Sequence, residues 1–99
     1  GYSASLQRRQ EQSTGAVASG AGSKTVNFAK NFFVGTSVLG GANSYLPSIG
    51  INAMNLASGD YIEMGTVSSS SFIVTFKNSS NAAVDRNFTW SVVGYGKTV

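Results

Sequence analysis

The chain has 99 residues, 41 % of them hydrophobic and 11 % charged, with seven Lys or Arg against four Asp or Glu, a formal net charge of +3 and a pI near 9.5. That length is one domain or a fragment of one, and a charged share far under the roughly 25 % of ordinary soluble domains excludes a charged disordered tail and a coiled coil. Cys and His are both absent, which excludes a disulfide framework, a Cys/His zinc site and His- or Cys-based catalysis.

Residues 1–14 are polar, with Gln7-Arg8-Arg9-Gln10-Glu11-Gln12 in a row. Propensity fits a short helix there, while the alternation of Tyr2, Ala4 and Leu6 fits a strand, and both readings stand. Residues 15–23 are nearly all Gly, Ala and Ser and read as a flexible linker, so 1–23 is expected to be an irregular connecting segment and 24–99 the folded domain. From Lys24 onward apolar residues recur with period two between clusters of Gly, Asn, Ser and Asp. Val26 and Phe28, with Phe32 or Phe33, belong to a first strand. Gly35 to Ser44 form a Gly-rich loop. Tyr45-Leu46-Pro47 lead into a second strand carrying Ile49, Ile51 and Ala53, with Pro47 at the entry, where a missing N–H is tolerated. Asn55 to Gly59 turn, and Asp60 to Val67 form a third strand. Phe72, Val74 and Phe76 alternate with Ile73, Thr75 and Lys77 in a fourth. Asn78 to Ala82 turn again. Phe88, Trp90 and Val92 alternate with Thr89, Ser91 and Val93 in a fifth.

Five short strands with polar turns predict an all-β chain, a small antiparallel β-sandwich. Ser68 to Ser71 should close a hairpin between the third and fourth strands. Phe72, Phe76, Phe88 and Trp90 should share one buried face. If successive strands run antiparallel, the loop at 35–45, the serine turn and residues 94–99 gather at one end, and 55–59 and 78–86 at the other. The first end brings together Asn43, Tyr45, Ser70, Tyr95 and Lys97, and the flexible loop adds Gly40, Gly41 and Ser44. Rings mixed with amides and hydroxyls suit a binding tip. A ten-residue loop is also long for a connection that does nothing.

The basic residues are scattered, with only Arg8 and Arg9 adjacent, whereas phosphate-backbone binding wants a patch or stripe, so no nucleic-acid partner is expected. A surface of hydroxyls and amides suits carbohydrate or protein better. No run of about 18 apolar residues offers a membrane span. Gly1-Tyr2-Ser3 lacks signal-peptide architecture, and a first residue other than Met is expected of a piece of a longer chain. Asp60 and Glu63 lie three apart on a predicted strand and point to opposite faces, so they are not expected to flank a scissile bond. Without His, a Ser–Lys pair such as Ser37 with Lys30 is the remaining nucleophile arrangement, and no spacing specifies it. An oxygen-only calcium site at Asp60 or Asp85 lacks a ligand loop of known spacing. No catalytic residue, metal or cofactor is therefore expected. Val93-Gly94-Tyr95-Gly96 resembles a potassium-channel filter but lacks membrane helices. Here the glycines are expected to let a terminal strand bend or pack closely, with Tyr95 as its anchor. Asn78-Ser79-Ser80 and Asn87-Phe88-Thr89 fit the glycosylation sequon, a short pattern that matters only in a secreted eukaryotic protein. Tyr45 reads equally as a cap on the core and as a platform for a sugar ring or a protein partner, and Tyr61 as structural.

Three stretches together resemble the C-terminal domain of lambda-like tail-tip host-specificity (attachment) proteins of phages. They are Ser48-Ile49-Gly50-Ile51-Asn52-Ala53-Met54-Asn55-Leu56-Ala57-Ser58-Gly59-Asp60-Tyr61, Ser71-Phe72-Ile73-Val74-Thr75-Phe76-Lys77-Asn78-Ser79, and Phe88-Thr89-Trp90 with Gly94-Tyr95-Gly96. The opening Gly1 to Arg9, with Glu11-Gln12-Ser13, resembles the segment that precedes this domain. The strand order is also similar, more loosely, to H-type lectin domains, which form trimers and bind sugars. The resemblance implies a non-enzymatic homotrimer at the distal end of a phage tail in the virion. Its partners would be a polysaccharide, outer-membrane protein or pilus of the host, together with other tail-tip proteins. It transfers no receptor-contact residue. The loop Gly35 to Ser44 is longer than the family connection and is expected to hold this chain's own specificity. The alternative is a structural or trimerisation module without receptor contact.

Overall fold

The structure, a computed structural model, describes residues 5–37 and 39–98, with the backbone alone for Ser5, Lys97 and Thr98. Tyr2 and Ala4, on which the strand reading of the opening partly stood, lie outside these residues. The strands are β1 (Ser5–Gln12), β2 (Val17–Ala18), β3 (Lys24–Asn27), β4 (Ser48–Ala53), β5 (Tyr61–Val67), β6 (Ser71–Lys77) and β7 (Asn87–Thr98). The described residues contain no helix. The fold is all-β, built of two antiparallel sheets in a sandwich-like arrangement.

The first sheet is organised on β7. β1 pairs along one side of it from Ser5↔Thr98 to Gln12↔Ser91, and β2 continues that side at Val17↔Phe88. β4 takes the other side, from Ser48↔Val93 to Ala53↔Phe88. The second sheet has the order β3-β6-β5. Its β5–β6 pair is the hairpin expected around the serine turn, closed by Ser68 N–H donating to Ser71 O at 2.9 Å, with an irregularity in register between Met64 and Val67.

Period two explains how the sheets meet. On β6, Phe72, Val74 and Phe76 are fully buried, and on β7 Phe88 and Val92 match them. Ile49, Ile51 and Ala53 point the same way from β4 and pack on this core. Phe76 meets Phe88 at 5.4 Å between ring centroids, and Phe72 meets Trp90 at 5.8 Å, edge to face, so the four aromatics span the two sheets, with Phe72, Phe76 and Phe88 fully buried as expected and Trp90 only half-buried at the margin of the core.

Several boundaries differ from expectation. Residues 5–12 take the strand alternative, because eight residues of β7 offer unpaired backbone there and a helix would leave them bare. The stretch 15–23, read as a linker, contains β2, and its Ser19 N–H donates to Arg86 O at 2.9 Å. The first predicted strand ends at Asn27. Phe28 and Phe32 leave the ladder, their N–H groups donating to Ser70 O and Ser69 O, yet both rings stay buried. The last strand does not stop at Val93 but runs to Thr98. Beyond Val93, β7 has lost β4 and is held chiefly by β1, which draws the molecule out to 57 × 25 × 16 Å.

The two ends differ in construction. At one, Asp60 pairs with Arg86 Nε at 2.7 Å, Met54 N–H donates to Asn87 O, and Asn87 N–H donates to Asn55 Oδ1, so 54–60 and 78–87 are tied together. The Ala57 amide, and then Arg86, hold the Asp60 carboxyl below the usual aspartate range. The other end carries the long loop.

Candidate functional site

The long loop is anchored from β1. Glu11 turns its carboxylate to the chain after β3 and accepts from Ala29 N at 2.8 Å and Lys30 N at 3.2 Å. Arg9, two residues earlier and on the same face of the strand, donates to Glu11 at 2.6 Å, to Lys30 O at 2.6 Å and to Asn31 O at 2.9 Å. Its guanidinium lies 3.8 Å over the Phe32 ring, which in turn meets Phe28 edge-on at 5.1 Å. Burial works against the charge on Glu11, but the hydrogen bonds from Arg9, Ala29 and Lys30 together outweigh it and hold the carboxyl below its ordinary value. The polar run that reads from sequence as solvated surface is thus the clamp on residues 28–32.

The loop base closes by backbone pairing. Phe33 N–H donates to Tyr95 O at 2.7 Å, and Tyr45 N–H to Val34 O at 3.0 Å. Above these bonds three rings meet: Phe33 with Tyr45 at 5.7 Å, and Tyr45 with Tyr95 edge to face at 5.6 Å. Within the loop, Thr36 N and Ser44 N both donate to Gly41 O, at 3.0 and 3.3 Å. Gly35 has φ +132°, and a Cβ there would collide with that same carbonyl. Thr36, Leu39 and Asn43 also have positive φ, at 89°, 68° and 62°. Such conformations cost about 1–3 kcal/mol each for non-glycine residues and persist where surrounding bonds determine them. Leu39 is fully exposed, at 103 %.

The expected site residues fall into separate groups. Tyr45 and Tyr95 are in ring contact, and Gly40 lies against the Tyr45 ring so closely that a Cβ would sit 2.6 Å from its Cε2. Gly41 supplies the carbonyl that organises the loop, while Asn43 and Ser44 are exposed beside it. Ser70 is one segment removed: its carbonyl accepts from Phe28 and its amide donates to Ser68 Oγ at 3.3 Å. Lys97 pairs with Leu6 through its backbone, and its side chain lies outside the described residues. Sequence reasoning missed Phe33, Leu39 and the Arg9–Glu11 clamp. One signal was present, the apolar pair Val38-Leu39 inside a Gly/Ser/Asn loop.

Asp60 and Glu63 are each in an ion pair, Asp60 with Arg86 at 2.7 Å and Glu63 with Lys77 at 3.2 Å. No three His, Cys, Asp or Glu side chains cluster among the described residues. Nor is any helix among them long and apolar enough to cross a membrane. Comparison of the chain with family models, with curated proteins and with solved structures gives no match.

Proposed function

We propose that the chain is an adhesin domain of a phage tail tip, in which the loop from Gly35 to Tyr45 contacts a receptor on the bacterial surface during adsorption. The observation that carries this reading is the loop itself. An apolar residue, Leu39, stands in solvent at 103 % exposure on a loop held in shape by backbone bonds to Gly41 and by the Phe33, Tyr45 and Tyr95 rings. A preorganised loop loses little freedom on binding, and an exposed apolar residue held on it is surface that a partner can bury. The motifs around Ser48–Tyr61, Ser71–Ser79 and Phe88–Gly96 support the phage setting through their resemblance to tail-tip attachment proteins.

The assembly in this proposal is a homotrimer on the virion. Met54, Leu56 and Met64, exposed at 58, 44 and 42 %, are apolar surface that neighbouring copies would cover. Three copies of a weak site give firm attachment. The test is competition: purified chain is mixed with host cells before phage carrying the same chain are added. Adsorption should fall as the chain is titrated in. A chain that assembles as a trimer and leaves adsorption unchanged at saturation would replace this reading with that of a structural tail-tip module.

A further inference from the structure

Six large hydrophobic residues stand exposed among the described residues, and five of them, Leu46, Met54, Leu56, Tyr61 and Met64, fall in the one stretch that runs through β4 into β5. β4 is an edge strand of the first sheet and β5 an edge strand of the second, each paired on one side only. Between these two edges the sandwich is open. Ile49, Ile51 and Ile62 point toward the core, and Met64 stands opposite the buried Val74, yet all four remain partly exposed. β1 and β3 share the other margin, and that one is closed: Phe28 and Phe32 fill it, and Arg9 and Glu11 clamp the segment that carries them. The backbone of β4 is open as well. Met54 N–H donates to Asn87 O, so by the alternation of an antiparallel ladder the even-numbered residues of β4 turn to β7, while Ile49, Ile51 and Ala53 turn their N–H and C=O groups outward. Edge strands that stay single are blunted by a charge, a proline or a bulge. β5 has Glu63 and an irregular register, but β4 carries no charge, and Pro47 lies just before it.

Charge decides which partner fits. The charged residues of the stretch 46–64 are Asp60 and Glu63, and Arg86 and Lys77 neutralise them. The β1–β3 margin instead carries Arg8, Lys24 and Lys30, none with a carboxylate partner among the described residues. Two copies facing each other through that margin would oppose like charges, which is destabilising. Through the β4–β5 margin they oppose apolar side chains and unpaired strand backbone. We infer that copies of this chain associate through the β4–β5 margin, burying Leu46, Met54, Leu56 and Met64 and the open edge of β4 against a neighbour. The margin follows from the chain's own surface; the number of copies, three, and the link to attachment rest on the reading proposed above. In that assembly the three-fold axis runs along this margin. Leu46 directly follows Tyr45, so the three loops then stand together at one end and the receptor surface is shared between copies.

The chain has no Cys, so single cysteines report the contact directly. Sedimentation equilibrium of the purified chain should show self-association. Under the same conditions Met54→Cys, treated with a short bismaleimide, should cross-link copies, and Asn27→Cys, exposed on β3 at the other margin, should not. The double substitution Met54→Glu/Met64→Glu should weaken association at least tenfold, with circular dichroism checking that the sheets remain. If that variant does not fold, Asn52→Lys, exposed on β4, is measured in its place and should weaken association by as much. A chain that stays monomeric at millimolar concentration, Asn27→Cys that cross-links as fast as Met54→Cys, or a folded charged variant that associates like the parent would each overturn the inference. An assembly of two chains joined at Met54 would support this contact and remove the three-fold reading. Assembled chain that fails to block phage adsorption would remove the attachment reading and leave the cross-linking result standing.

Discussion

Replacing Gly94 by Ala places a methyl group 2.7 Å from Phe32 Cδ1 and 2.9 Å from Pro47 Cβ. Neither neighbour yields easily. Phe32 is 4 % exposed, covered by the Arg9 guanidinium and braced by Phe28, and Pro47 is a buried ring at the entry to β4. Overpacking of this kind costs about 1–3 kcal/mol. For a domain of this size each kcal/mol moves Tm by roughly 4–8 °C, so a cost of about 2 kcal/mol lowers Tm by roughly 8–16 °C. Gly96, two residues on and facing the same side, is the control. A Cβ there meets Arg9 Cδ and Nε at 3.7 Å, an ordinary contact, and its backbone is not left-handed. Gly96→Ala should raise stability by about 0.5–1 kcal/mol, because a strand glycine costs more chain entropy than alanine. Thermal and urea unfolding followed by circular dichroism give both values. The two shifts should have opposite sign. Two shifts of the same sign, or a Gly94→Ala variant as stable as the parent, would refute the packing of Phe32 and Pro47 against β7.

Three further outcomes follow from the same geometry. Ser19 is 4 % exposed, and its hydroxyl accepts from Arg86 N at 2.9 Å, so Ser19→Ala should cost about 1–3 kcal/mol, read as a lower urea midpoint with unchanged slope. Phe76→Ala removes a fully buried ring in contact with Phe88 and should cost about 3–5 kcal/mol, enough to unfold much of the population of so small a domain. Glu11 and Asp60 are both held below their ordinary carboxyl values, so the folded form prefers them ionised. That stabilisation is complete above about pH 4–5, where the unfolded chain is also ionised, and is lost as pH falls through the lowered folded values. Glu11→Gln should flatten this acid limb in urea titrations between pH 2 and 6, and an unchanged limb would show that Glu11 does not carry it.

The strands that sequence located are those where burial imposes period two. Ile49, Ile51 and Ala53 on β4, Phe72, Val74 and Phe76 on β6, and Phe88, Trp90 and Val92 on β7 each put alternate side chains into one core. β1 escapes that logic. Gln7, Arg8, Arg9, Gln10, Glu11 and Gln12 are polar on both faces, and what makes them a strand is the ladder to β7 and the clamp that Arg9 and Glu11 form on residues 28–32. On β7 the alternation reads only to Val93, while the close packing expected of its glycines is met at Gly94, where Phe32 and Pro47 take the space of a side chain. Which two distant segments would do so no local pattern records. The loop's length and its Tyr45 were legible. The contact of Tyr45 with Phe33 and Tyr95, and the exposure of Leu39, go with positive φ at Thr36, Leu39 and Asn43, a conformation that Asn favours but that Thr and Leu do not announce.

The most direct measurement is adsorption with the loop removed. Residues 36–44 are replaced by a short Gly-containing turn between Gly35 and Tyr45, whose partner Val34 O keeps the loop base closed. The altered chain should unfold within a few degrees of the parent, and phage carrying it should no longer adsorb to the host. Phage that carry the shortened loop and adsorb at the parental rate would contradict the assignment of this loop as the contact surface.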